Sequence, residues 1–306
     1  MISSQTTKLR LEFTLNTSSN IRGIGFMLAG AGTFVLNDSF MKIALADLPP
    51  YEVLVMRGTS GIICALALLT MMGDIGKLAQ GIHRFVFLRG LLEVGAILTY
   101  ILALAHAPIG DVTAIFQITP LLVIMGMIFI HREAALPARI ALVALGFAGA
   151  LLVAQPGFGT ASPFLMFAFV TAMFAALRDL AGRRVSSEIP ALVATLITII
   201  MVMTGAAIVG LTAETWIMPK PMHIILMAGA GLFMMLGHMF TFLAYRNASA
   251  QAVAPFYYAF MIWAVIMGYA IFRDVPNTLA ISGMLLILAS GLGIVYLERK
   301  GSRTAD

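Results

Sequence analysis

The chain has 306 residues, of which 60% are hydrophobic and only 11% charged, with a mean hydropathy of +0.98 and a formal net charge of +5. Soluble domains carry about 25% charged residues, so a chain this short of charge cannot cover a water-facing surface, and lipid is the expected solvent. The single cysteine, Cys64, excludes a disulfide framework and any multi-thiolate metal site. Residues 1–22 are polar and lack a continuous apolar core, so they read as a cytosolic tail and not as a cleaved signal peptide. Ten windows of about 20 mainly apolar residues follow, near 23–46, 50–72, 84–104, 110–130, 138–153, 162–180, 190–211, 222–244, 249–272 and 279–297. The breaks between them, such as "DLPPYE" and "GRRVSSEIP", are too short for a soluble domain.

Basic residues set the orientation. With the N-terminus inside, 13 of the 19 Lys and Arg fall on the inner side, Lys220 and Arg273 on the other, and Lys42, Arg57, Arg89 and Arg178 within spans. Both termini are therefore expected in the cytoplasm. Topology and anionic lipid account for the positive balance, so it calls for no nucleic-acid partner.

Several spans carry polar residues at membrane depth. In helix 1, "GAGTFVLNDSFMKIAL" holds Asn37, with Asp38 and Lys42 one turn apart; in helix 6, Asp179 and Arg183 repeat the interval. Opposite charges at i and i+4 share a helix face, and pairing lowers the cost of a charge in hydrocarbon. Such pairs read either as helix-end ion pairs or as gate contacts. Arg57 in helix 2 is a candidate partner for Asp38. On helix 3, Arg89, Glu93 and Tyr100 share a face at i, i+4 and i+11, and Arg89 and Glu93 are expected to neutralise each other. Helix 4 presents Phe116, Gln117 and Pro120. Gln117 suits a substrate carboxylate or amine, or a bond between helices, and Pro120 can kink the helix. His238 and Phe242 share a face of helix 8, where the histidine reads as packing or as a proton-coupling group. Tyr257, Tyr258 and Trp263 in helix 9 read as core aromatics or as a cavity wall.

Sliding the second half over the first at an offset near 140 aligns Asp38 and Lys42 with Asp179 and Arg183. The same register aligns "AIFQITPLLVIMGMIFIHRE" with "APFYYAFMIWAVIMGYAIFRD", and "GFAGALLVAQ" with "ASGLGIVYLE". Each half has an odd number of spans, so the second enters from the opposite face. The expected fold is an all-α integral membrane protein of ten transmembrane helices, two inverted five-helix repeats around a central cavity. Its parts are a tail at 1–22, repeats at 23–155 and 156–298, and a tail at 299–306.

With the Pro-then-Arg opening "LPPYEVLVMRG" of helix 2 and the helix 4 stretch "ALAHAPIGDVTAIFQITPLLVIMGMIFIHRE", the chain resembles the ten-helix EamA-repeat branch of the drug/metabolite transporter superfamily. It is similar in particular to bacterial amino acid exporters of the YddG type. The resemblance implies secondary transport of small metabolites through a cavity lined by Asn37, Tyr100, Phe116, Gln117, His238, Phe242, Tyr257, Tyr258 and Trp263. Asp38, Lys42, Arg57, Arg89, Glu93, Asp179 and Arg183 are the expected gate or ion-pair residues. The expected activity is export of neutral or aromatic amino acids by alternating access across the bacterial inner membrane. Uptake of a cofactor such as riboflavin or S-adenosylmethionine is the alternative, and a structural or lipid-handling role is the alternative outside transport. No phosphate-binding loop or H-E-x-x-H motif occurs; no enzyme activity, cofactor, metal or obligate protein partner is expected.

Overall fold

The computed structural model describes residues 2–130, 137–155, 162–182, 184–186, 188–248 and 253–303. These residues are helical, with no strand among them. The helices are α1 (Ile2–Ala44), α2 (Pro50–Met72), α3 (Arg84–His106), α4 (Ile109–Phe116), α5 (Thr119–Ile130), α6 (Pro137–Ala154), α7 (Leu165–Gly182), α8 (Ala191–Ala213), α9 (Pro221–Asn247), α10 (Ala259–Met267) and α11 (Thr278–Arg303). Helix α1 runs back through the polar N-terminal stretch, and its apolar part is Ile21–Ala44. Proline opens several helices, where its missing N–H has no partner to lose: Pro50 and Pro221 lie in the first turn of α2 and α9, while Pro108 and Pro190 precede α4 and α8. Gly73 closes α2 at φ 74°, a left-handed position that costs glycine nothing.

Among the described residues eight stretches are long and apolar enough to cross a membrane, with α4 and α5 counting as one, and two further apolar stretches, Ile140–Ala154 and Phe256–Phe272, are shorter. The expected single helix over 110–130 is broken at Gln117–Ile118, just before Pro120, whose ring and missing N–H prevent an uninterrupted ladder. The expected span over 249–272 opens with a tight 3-10 segment, Ala254–Tyr258, at Pro255 and ends in a π turn, Gly268–Phe272. Apolar side chains such as Ile63, Leu211 and Leu285 face outward, while Asn37, Glu52, Arg57 and Gln117 are buried. That inversion of the soluble pattern is what lipid solvation requires, and it marks a multi-pass membrane protein.

The strongest packing joins helices from different halves of the chain: α1 with α9, α3 with α7, α2 with α8 and α9, α3 with α8, and α6 with α11. Small residues permit the closest of these approaches. A Cβ on Gly149 would lie 2.7 Å from the Gly283 carbonyl oxygen, so α6 and α11 meet backbone to backbone. The two halves thus interleave, and the space between them holds the polar interior.

Candidate functional site

A cavity of about 300 Å³ lies between the halves, lined from α1, α2, α3, α4, α7, α8, α9, the 3-10 segment and α10. Its charged residues form two levels. Asp38 lies six residues before the end of α1, Arg57 seven after the start of α2, Tyr100 six before the end of α3, and Phe116 seven after the start of α4. At 1.5 Å per residue all four sit about 10 Å below one end of the bundle, here termed the upper end. Arg89, Glu93, Arg178, Thr195 and Thr241 occupy the lower part.

In the upper level Tyr100 donates its hydroxyl to Asp38 Oδ2 at 2.6 Å, and Asn37 Nδ2 donates to Asp38 Oδ1 at 2.8 Å. The expected Asp38–Lys42 pair is not formed. Lys42 turns to the carbonyl of Ala107 and lies 5.3 Å from the Phe272 ring centre, because a carbonyl at the end of α3 is an unfilled acceptor within reach of its flexible stem. Arg57 is 8% exposed and its Nε has no hydrogen-bond partner. None of the ion pairs among the described residues includes it, although Asp38 and Glu93 lie close enough for their charges to act on it.

The lower level holds a second departure from expectation. Glu93 pairs with Arg178 of α7 at 2.6 Å, while Arg89 donates to Thr198 Oγ1 at 3.1 Å. Arg178 also holds Asp179 at 2.8 Å; Arg183 lies outside the described residues. Arg178, Phe34, Thr198 and Phe260 are lining residues that the sequence reading passed over. Phe34 carried a signal, since it precedes Asp38 by one helical turn.

An aromatic wall runs along one side. Phe34 meets His238 edge-on at 5.0 Å and stacks on Phe260 at 5.5 Å, and Tyr257 lies 5.2 Å from Phe260; Tyr100 and Phe116 are 6.0 Å apart on the opposite side. Phe242 is 48% exposed on the lipid side and takes no part, since its position on α9 turns it away from the bundle. Trp263 packs on Gly32 of α1, Tyr258 is buried against Gly291 of α11, and Gln117 donates to the Tyr257 carbonyl at 3.1 Å. Those three support the wall from behind and do not line the cavity. The Gln117 bond joins the two helix breaks, one in each half, which places irregular backbone where it is enclosed by protein.

The upper end is fastened across the halves. His223 and Lys220 both reach Asp47 Oδ2, at 3.1 and 3.3 Å; Glu52 accepts from the Ile217 N–H at 2.9 Å and Glu214 from the Tyr51 N–H at 3.1 Å. The His223 bond, aided by Lys220, holds the Asp47 carboxyl below its ordinary range, whereas burial pushes Glu214 up. Asn277 and Gln155 exchange amide bonds at 2.8 and 3.1 Å at the same end. At the lower end the cross-half contacts are mostly apolar, Gly81 lying against Val193 and Ile197 and Gly23 against Ala248, with Arg184 over the Phe85 ring at 5.8 Å. His238 is exposed to the cavity and Arg89, Glu93 and Arg178 are half-buried, whereas Asn37, Arg57 and Tyr100 above them are buried, so the lower level is the more accessible of the two.

Comparison with known proteins places this geometry. An S-adenosylmethionine uptake transporter of Rickettsia prowazekii (strain Madrid E) is 24% identical over 285 residues, 92% of this chain and 94% of that protein. The pseudopaline exporter CntI of Pseudomonas aeruginosa (strain UCBPP-PA14) is 25% identical over 281 residues, 89% and 95% of the two chains. A riboflavin transporter of Vibrio cholerae is 26% identical over 288 residues, 92% and 96%. A solved crystal structure shares the fold, with a TM-score of 0.64 at 18% identity over 90% of this chain and 98% of that one. The three named relatives are transporters and not enzymes. The model of the EamA-like transporter family matches twice, over residues 21–155 and 162–296, and with nearly the whole chain covered this protein belongs to the EamA-like transporter family, within the drug/metabolite transporter superfamily.

Proposed function

We propose that the protein is a ten-helix secondary carrier of two inverted five-helix repeats, 23–155 and 156–298, which exports neutral and aromatic amino acids across the bacterial inner membrane by alternating access. The observation that carries the reading is the composition of the cavity wall. Asn37 and Arg178, Arg57 and Thr198, Ile97 and His238, Tyr100 and Thr241, and Phe116 and Tyr257 all line it, and each pair is 141 positions apart. The two family matches start at 21 and 162, the same interval. Helix packing follows the same exchange, since α1 on α9 has its counterpart in α7 on α3. A pseudo-twofold relation of this kind supports a substrate site at the junction of the repeats.

With both termini cytoplasmic, the lower end bears Lys77, Arg84 and Arg184 and faces the cytoplasm, so this conformation is open inward and closed outward. Charged groups at depth beside an aromatic wall suit a zwitterion with an apolar side chain. In this reading Asp38, Lys42, Arg57, Arg89, Glu93, Asp179 and Arg183 are the charged residues that rearrange as the gates alternate. Uptake of a cofactor is the second reading, favoured by the uptake transporter among the relatives.

Counterflow in proteoliposomes separates the two. Vesicles loaded with unlabelled phenylalanine should accumulate labelled phenylalanine, and neither S-adenosylmethionine nor riboflavin should compete at equal concentration. Exchange of riboflavin or S-adenosylmethionine without phenylalanine would replace the proposal by the second reading. Direction is tested in cells lacking native exporters, where expression should raise resistance to toxic amino acid analogues.

A further inference from the structure

Arg57 is a cation that the fold buries without an ion pair among the described residues. A guanidinium presents five donors in a plane and cannot lose its charge, and removing it from water is costly unless a partner compensates. In this cavity its neighbours are Asp38 and Glu93, but Asp38 is held by Tyr100 and Asn37, and Glu93 is held by Arg178. Each acid has its own donors, and Arg57 lines the cavity with its buried Nε unsatisfied. The Asn37 Oδ1 acceptor, which lines the same cavity, is likewise buried without a donor, and among the described residues no cation forms an ion pair with Asp38. A cationic fork without an ion pair, a donor-free amide oxygen and a carboxylate that only neutral donors hold therefore lie at one depth, about 10 Å below the upper end.

We infer that this level is an α-amino-acid head-group receptor: Arg57 takes the substrate carboxylate, Asp38 with Asn37 Oδ1 takes the ammonium group, and the side chain lies along Phe34, Phe260 and Tyr257. The inference rests on the carrier reading above and deepens it, because it assigns one residue to each charge of the substrate. It also separates the roles of the three arginines at the cavity. Arg178 is committed to Glu93 and Asp179, and Arg89 to Thr198 near the mouth, so neither is free to do what Arg57 does. A carboxylate bound in bidentate fashion fits a guanidinium and not an ammonium.

The test is binding to the purified full chain in detergent, read by calorimetry, with three probes that differ in their charges: L-phenylalanine, phenethylamine and 3-phenylpropionate. The wild type should bind phenylalanine roughly tenfold or more tighter than either analogue, because each lacks one charge-assisted contact. Arg57→Gln should lose phenylalanine affinity by about tenfold or more and lose phenylpropionate binding, while phenethylamine affinity changes little. Asp38→Asn should show the mirror pattern, and Arg57→Lys should fall between. Phe242→Ala, outside the cavity, should bind like the wild type. The unfolding temperature of Arg57→Gln should not drop, since removing an unpaired buried charge does not destabilise; a structural arginine would behave oppositely.

Equal loss of all three probes in Arg57→Gln, unchanged phenylalanine binding in that variant, or a folded wild type that binds none of the three overturns the assignment. Counterflow of phenylalanine is scored separately. If exchange persists while the probe pattern fails, only the receptor falls; if exchange is absent for every amino acid, the carrier reading falls with it.

Discussion

Glu93 had a local partner available and took a distant one. Arg89 lies one helical turn away on the same face, which is why spacing along α3 pairs the two, yet the carboxylate is held by Arg178 from α7 at 2.6 Å. Helical spacing identifies which residues share a face but not which helix will be packed against that face, and the choice is made by tertiary geometry. The same holds for Asp38, whose i+4 lysine is drawn to a carbonyl while a tyrosine from α3 supplies its donor. The face Arg89, Glu93 and Tyr100 was legible because it needs only a 3.6-residue period; the pairing was not. Removing one member of a buried pair leaves the other charge uncompensated, at about 3–5 kcal/mol for full burial. Both side chains are about one-sixth exposed here, 16% and 17%, so Arg178→Ala should cost about 2–3 kcal/mol after allowance for screening. The double reversal Glu93→Arg with Arg178→Glu should recover part of that loss. Thermal unfolding in detergent measures both, and a double variant no more stable than the worse single variant would remove the ion pair as the cause.

At the level of helices, composition gave the spans and proline gave one of the breaks. The interruption before Pro120 follows from a ring that cannot donate, whereas the 3-10 entry at Ala254–Tyr258 was hidden because Pro255 sits where a helix tolerates it, in the first turn. Nothing in the composition of Gly268–Phe272 announces its π turn. The small-residue runs "GFAG" and "ASGLG" were legible as packing surfaces, and α6 and α11 do meet closely, the tightest approach being between Gly149 and Gly283. A Cβ on Gly283 would strike the Gly149 carbonyl oxygen and stand 2.9 Å from Val153. Backbone cannot rotate aside as a side chain can, so Gly283→Ala should force the helices apart and cost about 1–3 kcal/mol. Gly25 provides the contrast, since a Cβ there meets nothing within 4 Å. Gly25→Ala should gain about 0.5–1 kcal/mol from helix propensity alone. The two variants measured together by unfolding temperature must move in opposite directions; a shift of the same sign in both removes the close approach as the explanation.

For the molecule as a whole, the repeat was visible in the sequence as a few matches near an offset of 140, but not that the halves would interleave. Two consecutive family repeats suggest two bundles that fold separately, yet each half finds its main contacts in the other. The cavity is consequently an interface, and its two ends are governed by bonds between halves. The latch of Asp47 with His223 and Lys220 has a defined acid response. A carboxyl held below its free value strengthens closure at every pH above that value, about 3.9, and ceases to do so as the pH falls through the depressed one. Asp47 should therefore leave closure unchanged near neutrality and release it only below about pH 4. Whether this end must open during each cycle is decided by tying it shut. Asp47 and Lys220 are both exposed, 53% and 71%, with Oδ2 and Nζ 3.3 Å apart, so cysteines at the two positions, in a Cys64→Ser background, are within reach of a short bis-methanethiosulfonate linker. Cross-linking should abolish counterflow while leaving phenylalanine binding from the open lower side intact, and reduction should restore exchange. Each single cysteine treated with the linker should exchange normally, which separates the tether from loss of the latch residues themselves. Full exchange through a tethered upper end would mean that substrate leaves by another route, and the alternation of the two ends would have to be abandoned.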